Sequence, residues 1–238
     1  MNELTMVNIL RNHNRSIKYK KNDWELLNNK RQQALKLLNI FVVAGFNPYI
    51  YGSLARGDVH IDSDIDIVFL QRISSFLVEH VLFKNGYDNY FREIIMATPG
   101  DTIKLYIYLS ELESITIPIS PFNKKSLEFY SFGGKINQNQ LKSKIRVPGI
   151  DKRLVLIKPT NDGYEESSII GNEHNVAKEI NVDIETIIER RNVLLRREQY
   201  GRTGVFIKRP LNPDESTEDV LKVLARKKTI IRKKLREI

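Results

Sequence analysis

Cysteine is absent from the 238 residues, which excludes disulfides, iron–sulfur ligation, a cysteine nucleophile and any zinc site built on thiolates. Histidine is nearly as scarce. His13, His60, His80 and His174 are scattered, with no pair at helical or ribbon spacing, so imidazole does not rescue zinc. Any metal must then be held by oxygen. Long apolar runs are missing as well: no stretch approaches the roughly 20 residues of a membrane span. The opening MNELTMVNILRNHNRSIKYKKND also lacks the apolar run of a signal peptide. No membrane partner and a cytoplasmic location are expected.

What is present is the composition of a packed protein, 41% hydrophobic and 28% charged. Lysine and arginine outnumber aspartate and glutamate 38 to 29, a formal charge of +9 with a pI near 9.5, which favours polyanionic partners. The excess is uneven. Residues 1–139 hold 16 basic and 14 acidic side chains, whereas 140–238 hold 22 and 15. The basic character therefore belongs to the second part of the chain.

Periodicity and punctuation order the elements. After a polar, basic leader (1–22), DWELLNNKRQQALKLLNIFVVAGF predicts a long helix with Asp23 as its cap and an apolar stripe from Leu26 to Phe41. NPYIYG then predicts a strand, LARGDVH a turn into a short helix, and IDSDIDIVFL a second strand. SSFLVEHVLFKNG predicts a helix, and YFREIIMATPGDTIKLYIYLS a hairpin that completes the sheet. These elements define a domain over 23–116. A connecting region over 117–148, rich in Pro, Gly and Asn/Gln, separates it from a basic, mainly helical domain over 149–238. The fold class is α+β.

The chemistry concentrates in Tyr51-Gly52-Ser53-Leu54-Ala55-Arg56-Gly57-Asp58 and Ser63-Asp64-Ile65-Asp66-Ile67. Asp64 and Asp66, two apart on a strand, send both carboxylates from one face, about 6.5 Å apart at Cα, while Ile65 and Ile67 enter the core. Two like charges there are a poor structural choice unless a cation bridges them. Mg²⁺ suits the pair, since it takes one or two carboxylates and completes its shell with waters and substrate phosphates. The Gly52-Ser53 turn lets backbone approach a phosphate and offers amides that open a helix. Arg56 adds positive charge.

This arrangement resembles the nucleotidyltransferase superfamily that includes DNA polymerase beta, the CCA-adding enzymes and minimal nucleotidyltransferases. The shared signature is a hydrophobic residue, Gly, Gly or Ser, then Asp, hydrophobic, Asp or Glu, hydrophobic. Here Gly52-Ser53 precedes Asp64-Ile65-Asp66-Ile67 with ten residues between. The resemblance covers residues 25–110 and implies a mixed sheet flanked by helices. It also implies transfer of a nucleoside monophosphate from a nucleoside triphosphate to an acceptor hydroxyl, with release of pyrophosphate. Asp64 and Asp66 would hold two Mg²⁺ ions, Gly52 and Ser53 would seat the β and γ phosphates, and Arg56 would either offset leaving-group charge or act as a plain capping residue. The family normally carries a third carboxylate on a following strand. TIKLYIYL presents Lys104, Tyr106 and Tyr108 on the face opposite its apolar one, with no acid, which leaves Glu93 as the candidate. A second reading is therefore kept: a noncatalytic nucleic-acid-binding or regulatory protein retaining the fold.

In the basic domain, the order helix, turn, helix, then GRTGVFIKR resembles a winged helix-turn-helix. That resemblance implies RNA or DNA as a partner, with Arg190 and Arg197 on the second helix and Arg202 and Lys208 in the wing as phosphate contacts. Asp183 would cap the second helix. The closing segment PDESTEDVLKVLARKKTIIRKKLREI predicts one helix, acidic at its start and basic at its end.

Overall fold

The computed structural model describes residues 7–236, so residues 1–6 of the expected leader and the last two residues lie outside the description. The fold is α+β. Two compact units are each assembled from three chain segments: 7–35, 50–63 and 127–204 in the first, and 36–49, 64–126 and 205–236 in the second. The sequential division at 116 and 149 is not the one these contacts draw. The second unit includes all of 64–126 and takes up the chain again from Val205.

The second unit is built on strands β3 (Ile65–Val68), β4 (Phe91–Met96), β5 (Lys104–Tyr108), β6 (Glu113–Pro118) and β11 (Ile207–Leu211), in the order β11-β4-β5-β6-β3. β4, β5 and β6 run antiparallel in turn, and β6 lies parallel to β3. The hairpin expected from sequence is β4 and β5, but it does not finish the sheet. ESITIP, to which the sequence assigned no element and whose last two residues fall in the expected connecting region, forms β6 between β5 and β3, and β11 closes the far edge against β4. Alternation gives each face its character. One face carries Ile65, Ile67, Ile94, Met96, Leu105, Ile107, Ile115 and Ile117, all buried. Helix α3 (Ser75–Lys84) meets that side, its Glu79 accepting from Arg92 at 2.9 Å. The opposite face presents Asp66, Ser114, Thr116, Tyr106, Tyr108, Phe91 and Glu93, set at matching registers.

Helix α1 (Lys21–Val43) contributes to both units. In the first unit, β1 (Asn14–Lys18), β8 (Gly149–Ile150), β9 (Val155–Thr160) and β10 (Gly163–Ser168) form a sheet in the order β1-β10-β9-β8. β1 comes from the segment read as a leader. Its approach requires a glycine on the partner strand, because a Cβ at Gly163 would stand 1.8 Å from the Ile17 carbonyl oxygen. The same unit holds β2 (Tyr49–Tyr51) from Ile50 onward, the one-turn helix α2 (Ser53–Arg56), α4 (Lys124–Phe132) from Leu127 onward, β7 (Lys135–Asn137) and α5 (Gln138–Lys142). The expected linker is thus folded structure: Asn137 and Gln140 form a reciprocal capping box at the start of α5.

Helices α6 (Glu173–Glu179) and α7 (Ile184–Tyr200) pack on Ile150, Leu154, Leu156 and Ile169 through Val176, Ala177, Ile187 and Leu194. Asp183 occupies the N-cap of α7 without a side-chain cap bond; instead Glu128 accepts from its backbone N–H at 3.3 Å and from the Thr186 hydroxyl. The final segment is two helices, α8 (Thr217–Lys227) and α9 (Thr229–Arg236), broken at Lys228, whose backbone is extended and whose ammonium lies 4.5 Å from the Phe206 ring centre.

Candidate active site

β3 starts at Ile65, so Asp64 is an exposed residue immediately before the strand and Asp66 a half-buried one within it. Ile65 and Ile67 alternate into the core and fix that orientation. Ser114, directly opposite Asp66 on parallel β6, donates its hydroxyl proton to Asp66 Oδ1 at 2.6 Å. Burial pushes the Asp66 carboxyl above the usual range, the Ser114 hydrogen bond counters it, and the charge of Asp64 pushes it up again. Among the described residues no lysine or arginine pairs with either carboxylate. This is an anionic pair without an internal counter-ion.

Those donors are hard oxygens: two carboxylates with a hydroxyl beside one of them. Among the described residues no three of His, Asp and Glu gather where they could hold a metal. The set fits a divalent cation of the Mg²⁺ kind, which needs few protein ligands and takes phosphate oxygens for the rest.

Glu93 does not join this pair. It lies on β4, three strand positions from β3 in the order β4-β5-β6-β3, about 14 Å away at a strand spacing near 4.8 Å. Tyr106 and Thr116 occupy the intervening registers. Glu93 is buried to 5% exposure, with Lys208 Nζ at 3.7 Å. On β6, the strand beside β3, Ser114 stands opposite Asp66 and Thr116 opposite Val68, while the strand's one acid, Glu113, stands opposite Ile65 and so on the other face. Thr116 Oγ1 is buried without a hydrogen-bond partner.

The Gly52-Ser53 turn belongs to the first unit. Gly52 sits at φ 85°, a left-handed conformation that favours glycine, and the space where a Cβ would stand is open for 4 Å. Its carbonyl receives the amides of Ala55 and Arg56, and its own amide donates to Gly134. Helix α2 is four residues long, so it supplies turn amides rather than the macrodipole of a long helix. The turn is held from behind by Arg31 of α1, which donates to the carbonyls of Leu54 (2.9 and 2.7 Å) and Ala55 (3.2 Å). Burial, with help from the charge of Arg146, pulls the Arg31 guanidinium down to about 10. Sequence gave no sign of this brace, because a lone arginine on a polar helix face reads as solvated.

Of the two roles left open for Arg56, a leaving-group contact or a plain surface or capping residue, its surroundings are those of a structural residue, buried rather than at the surface. It is 5% exposed and commits Nε and Nη2 to both oxygens of Asp58 (3.0 and 2.9 Å) and Nη1 to the Gly133 carbonyl (2.6 Å). Its donors face protein acceptors, so it holds the loop rather than a leaving group.

The residues expected to form one nucleic-acid surface are dispersed. Arg190 packs its guanidinium over the Phe129 ring (4.7 Å), and Arg197 is half-buried, its charge disfavoured by burial and by Arg202. Arg202 is exposed. Lys208 belongs to the other unit, where β11 pairs with β4, so the expected wing is a sheet edge. No helix among the described residues is long and apolar enough to cross a membrane.

Residues 36–131 match the sequence model of the nucleotidyltransferase domain family. No curated protein and no solved structure matches the chain. The matched span contains the strand that carries Asp66, the serine that holds it and the turn at Gly52. Over that span, and over that span alone, the chain is similar to the nucleotidyltransferase domain family.

Proposed function

We propose that the protein is a Mg²⁺-dependent nucleotidyltransferase that moves a nucleoside monophosphate from a nucleoside triphosphate to an acceptor hydroxyl. The observation that carries this reading is the Asp64–Asp66 pair at the head of β3, anionic, lacking a protein counter-ion, and fixed at Asp66 by Ser114. A divalent cation bound there supplies charge neutralisation for the triphosphate and for the pyrophosphate that leaves. Asp64 and Asp66 hold it. Ser114 keeps the Asp66 carboxylate in one orientation. The Gly52-Ser53 turn, ten residues earlier in the chain, binds phosphate oxygens through backbone amides and the serine hydroxyl. The cytoplasm, rich in Mg²⁺ and triphosphates, is the proposed compartment.

The test is incubation of the full chain with each α-labelled triphosphate, Mg²⁺ and cellular RNA, DNA or protein, alongside Asp64→Ala and Asp66→Ala. Label transfer and pyrophosphate release are expected in the wild type and not in the variants. Thermal melts with and without ATP–Mg²⁺ give the binding arm. Apo stability of Asp66→Ala should hold or rise, because the burial cost of a carboxylate and its repulsion by Asp64 are removed, while ligand stabilisation disappears. Unchanged transfer or unchanged stabilisation in both variants refutes the assignment.

Ser114, where an acid beside Asp66 would stand, favours a second reading: a protein that binds nucleotide without transferring it and regulates or binds nucleic acid. ATP–Mg²⁺ stabilisation with no label transfer to any acceptor selects that reading.

A further inference from the structure

On the sheet face that carries Asp66, where Glu93 and Thr116 are buried, a row of partly exposed aromatic rings extends away from the carboxylate. Asp66 on β3, Ser114 on β6, Tyr108 on β5 and Phe91 on β4 occupy matched registers across four neighbouring strands. Tyr106, one step along β5, stacks on Tyr108 with ring centres 6.1 Å apart and planes 13° apart. Phe91, across from Tyr108 on β4, lies against it with ring centres 5.9 Å apart and planes 28° apart. The stack ends there, with Phe91 48% exposed at the start of its strand. A large ring so placed gains nothing from the core and offers a planar apolar surface to solvent.

Glu93, at the register of Tyr106, is flanked on the same face by two lysines. Lys104 precedes Tyr106 by two residues on β5, its ammonium 5.5 Å from the Phe122 ring centre. Lys208 stands opposite Ile95 on β11, its side chain 65% exposed beside Glu93. Stacked rings bordered by lysines are the recognition chemistry of single-stranded nucleic acid: bases add to the π surface and phosphates meet the ammonium groups. A base pair within a duplex hides the faces that such a stack reads. The net charge of +9 works in the same direction.

We infer that the Tyr106–Tyr108–Phe91 stack is the acceptor subsite, holding the end of a single-stranded nucleic acid by base stacking so that its terminal hydroxyl lies toward Asp66. This rests on the transferase reading for the acceptor role, but the shelf itself is tested by binding alone. The matched registers leave two strand spacings, about 10 Å, between Asp66 and Tyr108, the span of one nucleotide from its hydroxyl across its base.

The experiment measures binding of the full chain to a short fluorescent oligoadenylate RNA at low salt, without triphosphate, and to a duplex of equal length. It compares wild type with Phe91→Leu, Tyr108→Leu and Phe91→Trp. Wild type should prefer the single strand by about tenfold or more, each leucine variant should lose about tenfold, and tryptophan should retain the affinity. Absence of oligonucleotide binding, equal affinity for the duplex, or leucine variants that bind as wild type each overturn the inference. Melts with ATP–Mg²⁺ on the same proteins separate the two readings. Ring-dependent RNA binding without ATP–Mg²⁺ stabilisation supports the shelf and removes the transferase role. Loss of ATP–Mg²⁺ stabilisation together with RNA binding in Phe91→Leu assigns the ring to the triphosphate and overturns the acceptor subsite.

Discussion

Asp66 and Arg56 show how burial decides a side chain's role. Asp66 is half-buried beside the charge of Asp64, with no lysine or arginine paired to it, and the proposed cation site rests on that setting. Arg56, only ten residues earlier, is buried with every nitrogen engaged, which makes it structure. In the sequence both looked like parts of a phosphate site, because residue type and spacing say nothing of where a guanidinium's donors will end. Arg56→Ala would strand the Asp58 carboxylate and the Gly133 carbonyl inside the first unit. Removing one partner of a buried pair costs about 3–5 kcal/mol. Urea denaturation of Arg56→Ala should therefore show a loss of that size, and Asp58→Ala should cost much less when made in the Arg56→Ala background than alone. Wild-type stability with weakened ATP–Mg²⁺ binding would return Arg56 to the phosphate.

Elements that bury a periodic stripe were legible. The long first helix, α3, β3 and the β4–β5 pair each announce themselves by spacing, and the acid pair followed from β3. β1, NRSIK, did not, because its residues are mostly exposed and its strand exists only through its partner. β10, GYEESS, is polar for a related reason: it buries Glu166 to 4% exposure. There Arg153 Nη2 donates to Glu166 Oε1 at 2.7 Å and His13 Nε2 lies 2.6 Å from Oε2, which ties the residue before β1 to β10. Burial would raise the Glu166 carboxyl, but the hydrogen bonds from Arg153 and His13 outweigh it and hold it below the ordinary glutamate range. A carboxyl lowered in the folded state adds stability that is present above its unfolded value and lost as pH falls through the folded one. Glu166→Gln should thus cost about 1–2 kcal/mol near neutrality, an allowance that counts the partly exposed Arg153 as screened by water. It should cost little once pH is below the folded value of the wild-type carboxyl. Melts of both proteins from neutral pH down through the carboxylate range check this, and a pH-independent difference would remove Glu166 from the acid response.

At the scale of the chain, the +7 carried by residues 140–238 suggested a separate basic module, yet charge follows sequence while packing follows partners. Residues 140–204 pack in one unit and 205–236 in the other. Each part depends on chain that precedes it: β10 pairs with β1, α7 receives its cap bonds from Glu128, and β11 pairs with β4 along all five of its residues. Arg92 of β4 reciprocates, donating to the carbonyls of Asn212 (3.0 Å), Pro213 (3.2 Å) and Glu215 (2.9 Å) from a buried position. Cutting at 140 therefore exposes the edges of β10 and β11 and takes from the fragment the partners that order them. The isolated segment 140–238 should lack a cooperative thermal transition, whereas the full chain should melt cooperatively. Deleting 205–238 from the full chain should leave β4 as an unpaired edge and Arg92 as a buried cation with Glu79 but without its three carbonyl acceptors, with aggregation on heating as the visible result. Circular dichroism melts and light scattering decide both. A sharp transition in the fragment would restore a self-standing C-terminal domain, and with it the case for a nucleic-acid surface built from Arg197 and Arg202 rather than from the rings beside Asp66.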